Sequence, residues 1–300
     1  MKRDSFMTQK IAITETHLSK FPLTYRGKVR DIYEIDSKLL IVTTDRISAF
    51  DYVLPTPVPN KGKILTELSV YWFKQTESII PNHLLSTDVT PYVANEAEKE
   101  MLIDRSMIVK KVERLPVEAI VRGYITGSAW KDYQKNGIVN GIKLPAGFRD
   151  GDRLSEPIFT PSTKAEIGDH DAPMTYEEVV QKIGKRWADE VRDVSLKIFE
   201  SASRKAEKKG LLIADTKMEF GILNDKLILI DELLTPDSSR FWLATEYQPG
   251  KSLNPWDKQL VRDYLLQSSW DKKSAPPPLP EEIVKETFCR YKTIADRLMS

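Results

Sequence analysis

The sequence predicts an α+β fold in two lobes, and three observations predict it. Short β-branched and aromatic runs fill the first third, helical and strand-like segments mix through the rest, and the change falls near Arg114–Pro116. The chain thus divides into an N-terminal lobe, 1–114, and a C-terminal lobe, 115–300. A cleft between lobes is a common place for a ligand. At 300 residues and 41% hydrophobic, the chain can bury the core that this needs.

Each element has its own signal. Residues 25–53 read as strands in a hairpin or meander, broken at Asp36-Ser37-Lys38. PTPVPN, 55–60, is a turn-rich break. Residues 64–79 carry Leu65, Leu68, Trp72 and Ile79 near one stripe, which is helical spacing. Residues 107–125 read as two strands joined near Pro116. A short helix is expected at 128–136, with Ser128 as N-cap and Gly137 just past its end. Residues 137–175, rich in Gly, Pro and Asp, read as one long loop that orders when ligand binds. Helices follow at 175–183 and on to Gly210, then strands at 217–222 and 227–231. After Trp242 the chain reads as irregular until DKQLVRDYLLQSSW. APPPLP, 275–280, is a stiff connector into a last helix, 281–298.

Composition narrows the function classes. With 45 basic and 44 acidic residues the net charge is +1, so no global field gathers nucleic acid or an acidic membrane. The single cysteine, Cys289, cannot form an internal disulfide, and the first residues lack the apolar core of a signal peptide. No stretch approaches a membrane span. The expectation is a cytoplasmic protein without nucleic-acid or membrane partners. His17, His83 and His170 are scattered and no HExxH or CxxC is present, which argues against zinc. There is no GxSxG and no P-loop.

The chemistry concentrates in IADTKMEFG, 213–221, and LILIDELLTPDSSRFW, 227–242. Strand alternation puts Asp215, Lys217 and Glu219 on one face. A three-residue loop, Asn224-Asp225-Lys226, would pair Glu219 with Asp231 across a hairpin; a two-residue loop would put them on opposite faces. The first register is the expected one. Adjacent carboxylates repel unless a cation sits between them, and Mg2+ takes one or two carboxylates plus phosphate and water. A solvated hairpin face is the plain alternative, but TPDSSR brings Ser238, Ser239 and Arg240 close behind the acids. Acids for a metal beside Arg for an anion make a phosphate-handling set.

Other segments carry weaker signals. In YRGKVRDIY, Gly27, Lys28 and Arg30 suit either a phosphate-binding turn or an ordinary surface turn. In PVEAIVRGYITGSAW, Arg122 follows a strand and Ser128 opens a helix. Those residues fit an anion site, or a structural ion pair and a cap. TTDRISAFD places Asp45, Arg46, Ser48 and Asp51 after a strand, and FTPSTKAEIGDHD offers Ser162, Thr163 and Lys164.

Together these segments resemble the SAICAR synthetase family. PVEAIVRGYITGS and IADTKMEFG look like its two signature segments. RGKVRDIY, TTDRISAFD, PNKGKILTELS and LIDELLTPDSSRFW support the match in order, over about residues 20–270, and FTPSTKAEIGDHD with the length looks like the longer, yeast-type members. The resemblance implies an ATP-dependent ligase of purine biosynthesis. It would join L-aspartate to the carboxylate of 5-aminoimidazole-4-carboxylate ribonucleotide (CAIR) to give SAICAR, ADP and phosphate, through an acyl phosphate. It also implies a kinase-like N-terminal lobe with ATP in the cleft, and a monomer or small homo-oligomer. By the resemblance, Gly27, Lys28 and Arg30 would lie over the ATP phosphates and Lys111–Glu118 would hold adenine. Glu219 and Asp231 would hold Mg2+. Asp215, Lys217, Arg122, Ser128 and Arg240 would contact CAIR, with Lys217, Asp215 and Arg122 nearest the chemistry. Ser162, Thr163 and Lys164 would take aspartate. A kinase and a non-catalytic nucleotide-binding module are the competing readings. The absence of HRDxxxxN and DFG argues against the first, and the presence of both metal acids against the second.

Overall fold

The computed structural model describes residues 12–164, 172–251 and 253–300. Most of the N-terminal stretch read for a signal peptide, and His170, lie outside the described residues. The chain opens with a meander of β1 (Leu23–Arg26), β2 (Arg30–Ile35) and β3 (Lys38–Thr43). The small hairpin β4 (Ser48–Ala49) and β5 (Tyr52–Val53) leads to α1 (Lys61–Thr76). Then come β6 (Leu84–Ser86), α2 (Glu96–Leu102) and β7 (Ser106–Lys110), completing a sheet ordered β1-β2-β3-β7-β6.

A second sheet begins with β8 (Glu113–Tyr124). After α3 (Gly127–Asn136) come β9 (Ile138–Val139), β10 (Ile142–Lys143), β11 (Arg153–Phe159) and β12 (Ser162–Thr163). Helices α4 (Tyr176–Ile183) and α5 (Lys185–Glu207) precede β13 (Leu211–Leu223), β14 (Lys226–Ile230) and β15 (Ser239–Leu243), and α6 (Gln259–Gln267) and α7 (Glu281–Met299) end the chain. The sheet order is β11-β8-β13-β14, with β12 on β8 and β15 on β13. No helix among the described residues is long and apolar enough to cross a membrane.

One core joins the two sheets. Trp72 and Phe73 of α1, Ile198 and Ala202 of α5, Phe220, Phe241 and Tyr291 are buried in one apolar cluster. Burial of this kind contributes about 25 cal/mol per Å2 of apolar surface. Close packing of α1 depends on Gly62, where a Cβ would stand 2.1 Å from the Thr43 carbonyl oxygen.

Four expectations need correction. The break in 107–125 lies at Lys111-Val112, and Pro116 sits inside β8, as does the expected lobe boundary. Proline cannot donate to a ladder, and the β8–β13 register shifts beside it, between Glu219↔Glu118 and Gly221↔Arg114. The supposed loop 137–175 holds four strands. Asn140-Gly141, with φ 48° and 83°, makes the two-residue turn of β9–β10, and β11 pairs with β8. The N-cap of α3 is Thr126, in extended geometry, so Ser128 lies inside the first turn. Finally, β13 and β14 are joined by Asn224-Asp225 alone, at φ 50° and 56°, which pairs Glu219 with Ile230 rather than Asp231.

Candidate active site

Strand β13 organises the site. Within it, Asp215 faces Arg122 across to β8 and Arg240 across to β15. Both guanidinium groups bond the same carboxylate oxygen, Arg122 at 2.7 Å. Arg122 also donates to Thr160 Oγ1 at 3.0 Å and Ser128 Oγ at 3.2 Å, so α3's first turn joins the cluster. Burial works against both guanidinium charges. At Arg240, Asp215 outweighs it and the pKa rises; at Arg122, burial aided by Arg240 wins and the pKa falls. Two buried cations on one carboxylate make a site that an anion would relieve. Gly127, at φ 62°, lets the helix start this close, because a Cβ there would stand 2.5 Å from the Arg240 guanidinium.

Two steps along, Lys217 Nζ bonds Glu118 at 2.8 Å, and Lys164 Nζ bonds the other oxygen of Glu118 at 3.0 Å. Lys164 also pairs with Glu219, which lies directly opposite Glu118 on the neighbouring strand. Burial alone would raise Glu118; Lys217 and Lys164 outweigh it and hold the carboxyl below its usual range.

Four residues on from Asp215, Glu219 feels the charge of Asp231 despite the two-residue turn. Strand alternation ends at Ile230, and Asp231 takes φ 68°, a left-handed conformation that Asp tolerates better than most residues. The two carboxylates then repel. Burial first, and Asp231 second, push Glu219 up to about 7, even with Lys164 attached. Asp231 stays ionised: burial raises it, but Arg30 and Lys164 hold it below normal. Arg30 bonds Asp231 with one nitrogen and Glu232 at 3.0 Å with another. Burial also raises Glu232, outweighing Arg30. Burial pulls His83 down to about 4, and the His83 amide donates to the Leu229 carbonyl of β14 at 3.0 Å.

A cavity of about 230 Å3 opens over Arg122, Ser128, Asp215, Lys217 and Arg240. Its other wall carries Asp237, Asp257 and Arg262, which the sequence reading did not single out as site residues. Asp237 pairs with the fully buried Lys61 at 2.8 Å and accepts from Tyr291 at 2.7 Å. Burial raises Asp257 to about 6. The signal for Asp257 was the acid two residues before α6, where it accepts from the Gln259 amide at 2.7 Å.

The remaining expected residues divide. Ser162 and Lys164 meet at Glu118, with Ser162 Oγ 3.4 Å from it, while Thr163 Oγ1 accepts from the Ala172 amide. Gly27 closes a tight turn on Arg30, with Lys28 half-exposed and paired with Asp51. Arg30 lies in the acid cluster, pointing at carboxylates. Lys111, expected near adenine with Glu118, pairs with Glu34 at the surface, whereas Glu118 is buried in β8.

A sequence model of the SAICAR synthetase family matches residues 23–277. The phosphoribosylaminoimidazole-succinocarboxamide synthase of Thermodesulfovibrio yellowstonii is 56% identical over 286 residues, 95% of this chain and 98% of that protein. The synthase of Halorhodospira halophila is 48% identical over 296 residues, 98% and 100% of the two chains. Among solved structures, SAICAR synthase from Saccharomyces cerevisiae complexed with SAICAR matches with a TM-score of 0.87 at 41% identity, covering 96% of this chain and 98% of the yeast chain. A SAICAR synthetase in complex with ADP matches at 0.66 and 27% identity, over 91% and 96%. The chain belongs to the SAICAR synthetase family, the ATP-dependent ligases that join L-aspartate to CAIR in purine biosynthesis.

Proposed function

We propose that this chain carries out the ligation through an acyl phosphate, with its two anionic reactants held at two stations on β13, around Asp215 and around Glu219. The observation that carries the reading is the charge pattern along that strand: Asp215 between Arg122 and Arg240, and four residues on Glu219 within reach of the Asp231 charge. Arg122, Ser128 and Arg240 hold the CAIR phosphate. Asp215 and Lys217 contact the rest of the nucleotide. Gly27, Lys28 and the turn they form lie over the ATP phosphates, and the Lys111–Glu118 segment lies near adenine. Ser162, Thr163 and Lys164 lie towards the aspartate.

Glu219 and Asp231 suit Mg2+. Both donors are hard oxygens, both are half-buried and close enough to raise one another's proton affinity, and their mutual repulsion is what a divalent cation removes. Among the described residues no group of three or more His, Cys, Asp or Glu is arranged to hold a metal, so phosphate and water would complete the shell. When bound, Mg2+ neutralises the ATP phosphates and orients them for transfer. Arg30 keeps Asp231 ionised and aimed, and Lys164 pairs with Glu219 without keeping its pKa at the usual value.

A carboxylate resists an amine at neutral pH because its leaving group is poor. In the first step a CAIR carboxylate oxygen attacks the γ-phosphorus and the bond to ADP breaks. In the second, the aspartate nitrogen attacks the acyl carbon, the carbon–oxygen bond to phosphate breaks, and the nitrogen gives up its proton. Lys217 and the two arginines offset the repulsion between the reacting anions. The reducing cytoplasm is the compartment proposed, and a monomer or small homo-oligomer the proposed state.

The test is ADP release by the purified chain with ATP, Mg2+ and CAIR, with and without L-aspartate. ADP and SAICAR formed together, only with all components, are expected. Equal ADP without aspartate would mean an uncoupled or kinase-like activity and would overturn the coupled scheme.

A further inference from the structure

We propose that Arg46 is a positioning residue for the nucleotide, fixing the orientation of the Gly27–Lys28 turn so that the turn's free amides face the ATP phosphates. This rests on the placement of that turn over the phosphates. Arg46 belongs to TTDRISAFD, none of whose residues contacts a ligand in the proposed function. Its side chain is buried and makes four hydrogen bonds. Nε donates to the Lys28 carbonyl at 3.1 Å, and one terminal nitrogen donates to the Gly27 carbonyl at 3.0 Å. The same nitrogen donates to Asp31 Oδ1 at 2.9 Å, and the other terminal nitrogen reaches the Thr14 carbonyl. Asp31 is itself fully buried, and its second oxygen accepts from the Thr16 amide and hydroxyl, both at 2.9 Å. The guanidinium cannot turn without breaking bonds to Thr14, to Asp31 and to the turn. Thr44 completes the support, because its amide and hydroxyl both donate to the Val29 carbonyl at 2.9 Å.

Peptide geometry gives these bonds their consequence. Among the described residues every peptide bond is trans, and in a planar trans peptide the N–H points opposite to the C=O. The carbonyls of Gly27 and Lys28 turn inward to Arg46. The amides of Lys28 and Val29 share those two peptide planes and so turn outward. Lys28 lies at the surface, and among the described residues neither amide donates to a protein acceptor. Successive outward amides form a concave anion site. The planar guanidinium presents its donors in a fixed fork and can set several carbonyls at once, whereas a lysine ammonium is a compact point charge. Neutralising Asp31 would not require that fork, since Arg26 already pairs with Asp31 at 3.2 Å.

The test compares ligands with and without phosphates. Binding of ADP with Mg2+, of adenosine and of CAIR to the full chain is measured by calorimetry for Arg46→Lys and Arg46→Met. Lys28→Met serves as reference, and melting curves check folding. Arg46→Lys keeps the charge beside Asp31 but cannot span both turn carbonyls and Thr14. Expected is ADP binding about tenfold weaker in both Arg46 variants, with adenosine and CAIR binding at wild-type strength. If Arg46→Met fails to fold, Arg46→Lys decides. ADP and adenosine weakened alike in Arg46→Lys would make the side chain a general support of the lobe and overturn the positioning role. Unweakened ADP binding in Arg46→Lys, beside weakened binding in Lys28→Met, overturns that role while leaving the turn on the phosphates. Unweakened ADP binding in both Arg46→Lys and Lys28→Met would instead overturn the placement of the turn itself, and the Arg46 role with it.

Discussion

The two charge clusters on β13, around Asp215 and around Glu219, are built from the same residue types with opposite balance. Around Asp215, two arginines share one carboxylate, and Arg122 is depressed by burial first and by Arg240 besides. Around Glu219, Asp231 and Glu232, three acids share Arg30 and Lys164, and Glu219 is left near 7. Neither cluster is a relaxed ion-pair network. The first has an excess of cation and the second an excess of anion, within a few residues on one strand. Buried charge that is left incompletely compensated destabilises a fold, so each excess marks the sign of what should bind there.

The largest expected effect breaks the acidic cluster. Asp231→Asn removes the proposed metal ligand and the acceptor of Arg30. Turnover should fall by about 10³ or more, with the melting transition retained. Wild-type turnover with a normal Mg2+ requirement would sink the assignment. Next comes the cationic cluster. Arg240→Gln removes a charged donor, and KM for CAIR should rise by about 10–100-fold while the Mg2+ requirement is unchanged. A shift in Mg2+ dependence instead would mean that the two clusters are not separate.

Gly127→Ala sharpens the same comparison without altering charge. The new methyl group would meet the Arg240 guanidinium and force a residue at φ 62°. KM for CAIR should rise by about tenfold, less than for Arg240→Gln, and ADP binding should not move. The smallest effect is in pH. The folded pKa of Glu219 lies above its unfolded value, so between about 4.5 and 7 the native state binds the extra proton. Without metal, this group's contribution to stability therefore falls as pH rises through that window. Mg2+ with ADP should raise the melting temperature more at pH 8 than at pH 5.5, and its binding near pH 6.5 should release protons. Thermal scans and calorimetry in two buffers check this; a pH-independent stabilisation would count against Glu219 as a ligand.

What could be read in the sequence was the local chemistry, and what could not was the register. Helical spacing located α1, α4, α5 and α7, and alternation correctly grouped Asp215, Lys217 and Glu219. The hairpin carrying Asp231 was misread because Asn-Asp fits a two-residue turn as readily as the start of a longer one. The two acids still influence one another, and Asp231 follows β14 at a positive φ that no periodicity reveals. Asn140-Gly141 was a strong hairpin signal, hidden among Gly, Pro and Asp residues that read as loop. Arg30, Lys61 and Tyr291 reach the site from other parts of the fold. Their partners are distant in the chain, as with Arg30 and Asp231, so only folding shows them together.

The most direct test of the two-cluster site is the location of Mn2+ by anomalous diffraction in crystals grown with ADP and CAIR. The expected result is a metal bound to Glu219 and Asp231, with the CAIR phosphate on Arg122, Ser128 and Arg240. A metal held elsewhere, or the CAIR phosphate found at the acidic cluster, would contradict the reading of opposite charge excesses as two opposite sites.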